Sequence, residues 1–228
     1  MKLTISLLLI IILFRSENSN EEYLNASNRK YETNIDTTCF KLKKVNIGYM
    51  LRGYFNAASS IEDKEALGGF GGSGNVANKI DKISYLPIED KLSLFVDTTS
   101  CTELGDGYQG QNVYLINKTG NTLRFEASDS RLSIIAEAFY NDVWQPIEYL
   151  PSSWCGNSYH KVYLKDNEYW RFVVPRYSGR LKVKLRYRFE AEKERIYYSN
   201  EINSSVNKKQ FSVKQGYSSQ GLMDPYID

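Results

Sequence analysis

The sequence predicts an all-β protein, an antiparallel β-sandwich with an irregular, glycine-containing N-terminal extension. Three observations predict it. Short runs rich in β-branched and aromatic residues recur from Lys82 to Ser199, separated by turns containing Asn, Asp and Gly. Tyr is abundant at 18 residues, a composition that favours strands. Beyond the first residues, no long stretch repeats its apolar residues with helical spacing.

The elements follow in order. Lys2 supplies one positive charge, and Thr4–Phe14 (TISLLLIIILF) is an apolar run without charge or Pro. Its length suits the apolar core of an export signal, whereas a membrane-spanning helix takes about 20 residues. Residues 1–19 are therefore expected to be a signal peptide, removed or membrane-tethering. No Cys lies near it to accept a lipid. The expected location is exported: periplasm, cell surface or extracellular space. Contact with a membrane is expected only through that signal. Residues 20–38 are polar and aperiodic and read as a linker. Residues 39–90 read as an extension, 91–212 as the sandwich domain and 213–228 as a C-terminal tail.

Within the extension, Val45, Ile47, Tyr49, Leu51 and Phe55 alternate with Asn46, Gly48, Arg52 and Tyr54, which predicts a strand added to the sandwich. Residues 59–67 (SSIEDKEAL) suit a helical turn or two, capped by Ser59 or Ser60. Five glycines between Gly68 and Gly74 predict a mobile surface loop. Strands are then expected at Ile83–Leu86, Leu92–Val96, Asn112–Ile116 and Leu123–Ala127, the last two joined by a hairpin turn at Gly120. Leu132–Tyr140 and Val143–Tyr149 flank the turn pair Asn141-Asp142. Tyr159–Leu164 and Tyr169–Val174 flank KDNE, and Leu181–Phe189 and Arg195–Ser199 flank EAEKE. In Leu181–Phe189, Leu181, Val183, Leu185, Tyr187 and Phe189 point one way and Lys182, Lys184, Arg186 and Arg188 the other. One face is core and one is wet, which fixes the register.

This rhythm, with the late strand GRLKVKLRYRFE and the following IYYSNEI, resembles an immunoglobulin-like or fibronectin type III-like sandwich over residues 92–212. The chain also resembles exported bacterial proteins of no assigned activity that carry an SSWCGNS-type loop. It departs from antibody-type domains, since Trp154 stands beside Cys155 rather than midway between two cysteines. Such a likeness implies a fold and carries over no functional residue.

Three cysteines, Cys39, Cys101 and Cys155, leave one thiol over if a disulfide forms in an oxidising compartment. The expected pair is Cys101–Cys155, since both lie in the sandwich region; pairing through Cys39 would instead tie down the N-terminal strand. His160 is the only histidine, five residues after Cys155, and a cysteine nucleophile would have to use it as base. Glu103 and Asp106 could line a calcium loop, but the segment TELGDGYQG reads more simply as a turn. LGGFGGSGNVANK lacks the GK[ST] of a phosphate loop. Asn25, Asn117 and Asn203 stand in glycosylation sequons.

No catalytic residue, metal site or cofactor is assigned. The net charge of +2 gives no field that would point to nucleic acid. The expected function is a non-catalytic module that binds or scaffolds at the cell envelope or outside the cell. An anionic polysaccharide is one partner considered and an envelope protein the other. The candidate binding residues are the stripe Lys182, Lys184, Arg186 and Arg188, together with Trp154. Two alternatives stand beside this: a secreted hydrolase of envelope polysaccharide or peptide, and an inhibitor presenting the 151–158 loop.

Overall fold

The computed structural model describes residues 39, 41–83, 85–86, 88–151, 155–192 and 195–215. The expected export signal, the expected 20–38 linker, Asn25, Trp154 and most of the expected C-terminal tail lie outside the described residues. Two-residue strands β1 (Leu51–Arg52) and β2 (Asn78–Lys79) belong to the extension. The long strands β3 (Leu92–Gly105) and β4 (Tyr108–Asn117) follow, then β5 (Leu123–Ser128), β6 (Arg131–Leu132), β7 (Ile134–Tyr140), β8 (Val143–Pro146) and β9 (Glu148–Tyr149). β10 (Tyr159–Leu164), β11 (Glu168–Pro175), β12 (Leu181–Glu192), β13 (Arg195–Tyr198) and β14 (Ile202–Val206) complete the order. No α-helix occurs among the described residues; the helical elements are short 3-10 turns.

One sheet runs β2-β11-β4-β3 and a second β8-β7-β12-β13, with β14 pairing the start of β12 beside β13. β10-β5-β6 makes a third sheet, and β1 lies parallel to β9. The sheets enclose one hydrophobic core, to which Leu94, Val113, Trp170 and Phe172 of the first and Ala136, Leu185, Tyr187 and Phe189 of the second contribute. The chain is thus all-β and antiparallel in its main sheets, as a sandwich requires. β12 alternates as its sequence predicts: Val183, Leu185, Tyr187 and Phe189 are buried, and Lys182 and Lys184 are exposed. Asn141 and Asp142 both take positive φ, 52° and 61°, the geometry that lets a two-residue turn follow the strand twist.

The extension departs from a single added strand. From Leu51 to Ala57 the odd-numbered residues are the inward ones, with Leu51, Phe55 and Ala57 fully buried; before it Val45 is also fully buried, but Met50 breaks the period by being buried beside Leu51. The backbone nevertheless pairs with a different neighbour every few residues. Lys43 bridges Tyr108, Val45 bridges Tyr177, Met50 bridges Lys214 and Asn56 bridges Arg131. Alternating burial demands an extended chain, not one continuous partner, and this segment changes partner as it crosses the sandwich. Phe55 ends between the sheets, its ring centroid 5.0 Å from Phe172 and 5.4 Å from Tyr187.

Three further expectations are corrected. Residues 59–67 form no helix, because Asp63 spends its carboxylate on the backbone N–H of Lys161 in β10, 2.7 Å away, and on that of Glu65. The segment expected as a strand at Ile83–Leu86 begins in a 3-10 turn, Ile80–Ile83, whose Ile83 caps a satellite cluster with Tyr114 and Tyr169. The turn at Gly120 is not a hairpin: β4 pairs β3 and β11, and β5 pairs β10 and β6, so the chain crosses between sheets there. Buried Asn117 anchors that crossing by donating to the carbonyls of Asn121 and Leu164, which takes its sequon amide out of solvent.

The disulfide joins Cys39 to Cys101, with Cα atoms 6.1 Å apart, and Cys155 takes no part in it. The expected Cys101–Cys155 pair fails because Cys101 sits in β3 beside the start of the extension. There Gln109 also holds the carbonyls of Cys39 and Leu42. Cys155 lies instead in an exposed loop before β10.

Two outcomes follow for stability. Replacing Cys39 and Cys101 by Ser should lower the unfolding free energy by about 4 kcal/mol, the chain-entropy value for a loop of this length, whereas Cys155→Ser should shift it by less than about 0.5 kcal/mol. Phe55→Ala should cost about 3–5 kcal/mol although Phe55 lies in no regular strand. Urea midpoints of the purified variants decide both, and a Cys155-linked peptide in an unreduced digest would contradict the first.

Candidate binding groove between open strand edges

A cavity of about 1080 Å³ lies between the first residues of β3, the start of β5 and the β12–β13 hairpin. Leu92, Leu94, Phe125 and Ala191, all buried core residues, form its floor, and Arg124, Thr122 and Tyr198 are among the residues on its rim. Of its charged groups, Lys91 pairs with Glu89 at 2.5 Å and Arg195 with Glu192 at 3.7 Å. Arg124 is exposed and has no carboxylate partner among the described residues.

Two strand edges face this groove. In an antiparallel ladder, alternate residues direct both backbone groups to the same side. Val96 turns its N–H and C=O away from β4, where the side-chain amide of Asn200 meets both, at 2.7 and 3.1 Å. Leu94 and Leu92 share that orientation and have no hydrogen-bond partner on that side among the described residues. On β13, Ser199 N–H donates to Tyr187, so Tyr197 faces β12 and Ile196 and Tyr198 face outward.

Of the other edges, β10 is met by Asp63 at Lys161, β8 is four residues ending in Pro146, β2 and β6 have two residues each, and the five residues of β14 pair β12 on one side.

The basic stripe is only partly as expected. All four cations lie on the outer face of β12. Arg186, however, is held by Glu137 at 3.0 Å and stacked between Trp144 and Tyr198, 4.0 and 3.8 Å from the ring centroids. Arg188 pairs with Glu190 at 2.8 Å and approaches the same Glu137. Lys182 and Lys184 remain exposed and unpaired among the described residues. Lys182 also lines a polar cavity of about 510 Å³ with Lys44, Arg176 and Ser205. Glu137 is the residue sequence reasoning missed, and only knowledge that β7 neighbours β12 would have found it.

The cysteine-nucleophile reading finds no support in the geometry. His160 is buried, its ring stacked on Phe70 at 3.7 Å. Its Nε2 accepts the N–H of Ser130 at 3.0 Å, so the lone pair a base would use is already engaged. Ser130 Oγ lies 3.4 Å from the same nitrogen but donates to the carbonyl of Gly71 at 2.8 Å. These contacts pin the glycine-rich loop to the β5–β6 turn, together with a bond from Gly71 N–H to Asp129. Glu103 and Asp106 stand at the β3–β4 turn, where Glu103 accepts the N–H of Gly107, whose φ of 74° the turn requires. No group of three metal-ligating side chains occurs among the described residues.

One carboxyl group, that of Glu148, is wholly enclosed. Glu148 in β9 accepts from the Tyr177 hydroxyl at 2.6 Å and the Ala136 N–H at 3.1 Å. Burial raises its carboxyl to about 7, against the pull of those two bonds.

Comparison with known proteins finds nothing: no family model, curated protein or solved structure matches this chain.

The Glu148 geometry has a consequence in pH. Its folded value lies above its ordinary 4.5, so between about pH 4.5 and 7 the folded state keeps a proton that the unfolded state releases. The stability contributed by this group is present below 4.5 and is lost as pH rises to 7. Glu148→Gln, with its amide oxygen on Ala136 N–H and its NH2 toward Tyr177, should gain on the parent by up to about 3 kcal/mol across that window. Urea unfolding of both proteins at pH 5 and pH 8 tests this; a constant difference would show that Glu148 ionises at its ordinary value.

Proposed function

We propose that this chain is an exported, immunoglobulin-like β-sandwich that binds a protein partner in the groove between β3, β5 and β13 and performs no catalysis there. The observation that carries the reading is the groove itself: an apolar floor of core side chains flanked by strand edges whose hydrogen-bonding groups are unspent. Concave surfaces with an apolar base and a few directed polar groups are the usual form of binding sites. Export is supported by the charge-apolar-polar order of residues 1–22 and agrees with a disulfide; no helix among the described residues is long and apolar enough to cross a membrane.

A second reading is favoured by one observation. Lys44, Arg176 and Lys182 line one polar cavity, with Glu201 the acidic group among its lining residues, so an anionic polysaccharide could be held there by charge. Reversing Arg186 is a poor test of it, since that residue is built into the Trp144–Tyr198–Glu137 cluster.

Parent protein and two variants separate the readings. Thr122→Trp fills the groove rim from an exposed position, and Lys44→Glu with Lys182→Glu reverses the polar cavity. Each is used as bait in the native exported fraction and run on an anionic polysaccharide column. The expected result is a protein retained by the parent and the lysine variant and lost by Thr122→Trp. Retention by all three, or by none, overturns the groove reading. Earlier elution of the lysine variant alone from the column would establish the second.

A further inference from the structure

The edge of β3 is left open where it borders the groove, whose floor is apolar. Val96 is met by the amide of Asn200, which reproduces with one side chain the donor and acceptor of a paired strand residue. Further along, Arg176 donates to the carbonyl of Ser100, and Cys101 carries the disulfide. At Leu92 and Leu94 outward N–H and C=O groups meet no partner among the described residues, and there the 1080 Å³ groove begins. No Pro, bulge or inward charge interrupts pairing at these two positions, the devices by which exposed edges are normally made unreceptive.

We infer that the groove takes an extended segment of a partner protein as an added strand, paired to β3 at Leu92 and Leu94 and continuing the pairing that Asn200 begins at Val96. This rests on the groove being the binding site and adds the mode of recognition. Main-chain bonds to the edge supply affinity, and alternate side chains entering the floor supply selectivity. The chemistry of the segment follows from the lining. Residues facing Leu92, Leu94, Phe125 and Ala191 must be apolar and occur at every second position. The other face turns toward the rim, where Arg124 is the cation without a carboxylate. The occupant is therefore an extended, alternating segment carrying an acidic residue opposite Arg124. Arg195, Tyr197 and Tyr198 of β13 line the far side.

The probe is a synthetic capped heptapeptide, Thr-Val-Glu-Val-Thr-Val-Thr, and the same peptide with Gln for Glu. Full-length protein is followed by residue-resolved amide exchange with and without peptide. Expected is binding that saturates below about 1 mM, with exchange at Leu92 and Leu94 slowed about tenfold or more at saturation. Ser93 and Phe95, whose amides already face β4, should not change. Arg124→Glu should weaken the Glu peptide several-fold and leave the Gln peptide unaffected. No binding at 1 mM, or binding without the alternating protection, overturns strand addition. In the latter case the groove reading survives if Thr122→Trp still abolishes binding. Protection of Leu92 and Leu94 that appears without peptide and grows with protein concentration would assign the edge to a second copy of this chain and overturn the proposal equally.

Discussion

Phe55 touches Phe172 of one sheet and Tyr187 of the other, and the arrangement of the remaining chain depends on that wedge. An extended segment without regular strand pairing supplies this aromatic ring to the core. To bring Phe55 there, residues 43–58 must pass the β3–β4 turn, the end of β11, β9 and the β5–β6 turn. They use a single backbone bridge or a short pair at each. The disulfide fixes one end of this path and Trp170, whose indole N–H donates to the carbonyl of Ala58, fixes the other. A buried ring is worth several kcal/mol, enough to order an extended segment whose own hydrogen bonds are scattered.

The same logic explains which strand edges are finished and which are not. Side chains from the extension and the crossovers satisfy single backbone groups that no strand pairs: Asp63 on β10, Asn200 on part of β3, and Glu168 on the turn before β11. These are inexpensive substitutes for a further strand, because one carboxylate or amide satisfies the backbone without adding a residue to the sheet. Their absence at Leu92 and Leu94 is therefore a local property of the fold and not of its general style.

How much of this the sequence disclosed depends on whether the signal is local. β12 is legible residue by residue because alternation needs no knowledge of a partner, and the Asn141-Asp142 turn because positive φ at both positions selects those residue types. The crossover at Gly120 was not legible. Asn-Lys-Thr-Gly-Asn makes a sharp reversal whether the next strand stays in the sheet or leaves it, and φ of 78° at Gly120 serves either. The disulfide was misjudged for the same reason: nothing near Cys39 says that its neighbour is β3. The basic stripe was right in direction but not in charge, since Glu137 and Trp144 reach Arg186 from other strands. The groove itself is a gap between elements, and gaps have no residue pattern.

The bridge between Met50 and Lys214 joins the beginning of the described chain to its end. A ribosome must make the chain through Lys214 before that contact can exist, and Val45, waiting for Tyr177, is scarcely better placed. During synthesis the early apolar residues would stand exposed in an open chain, with closure as a late and slow event. The topology thus postpones closure of the sandwich around residues 43–58 until the chain through Lys214 has been made.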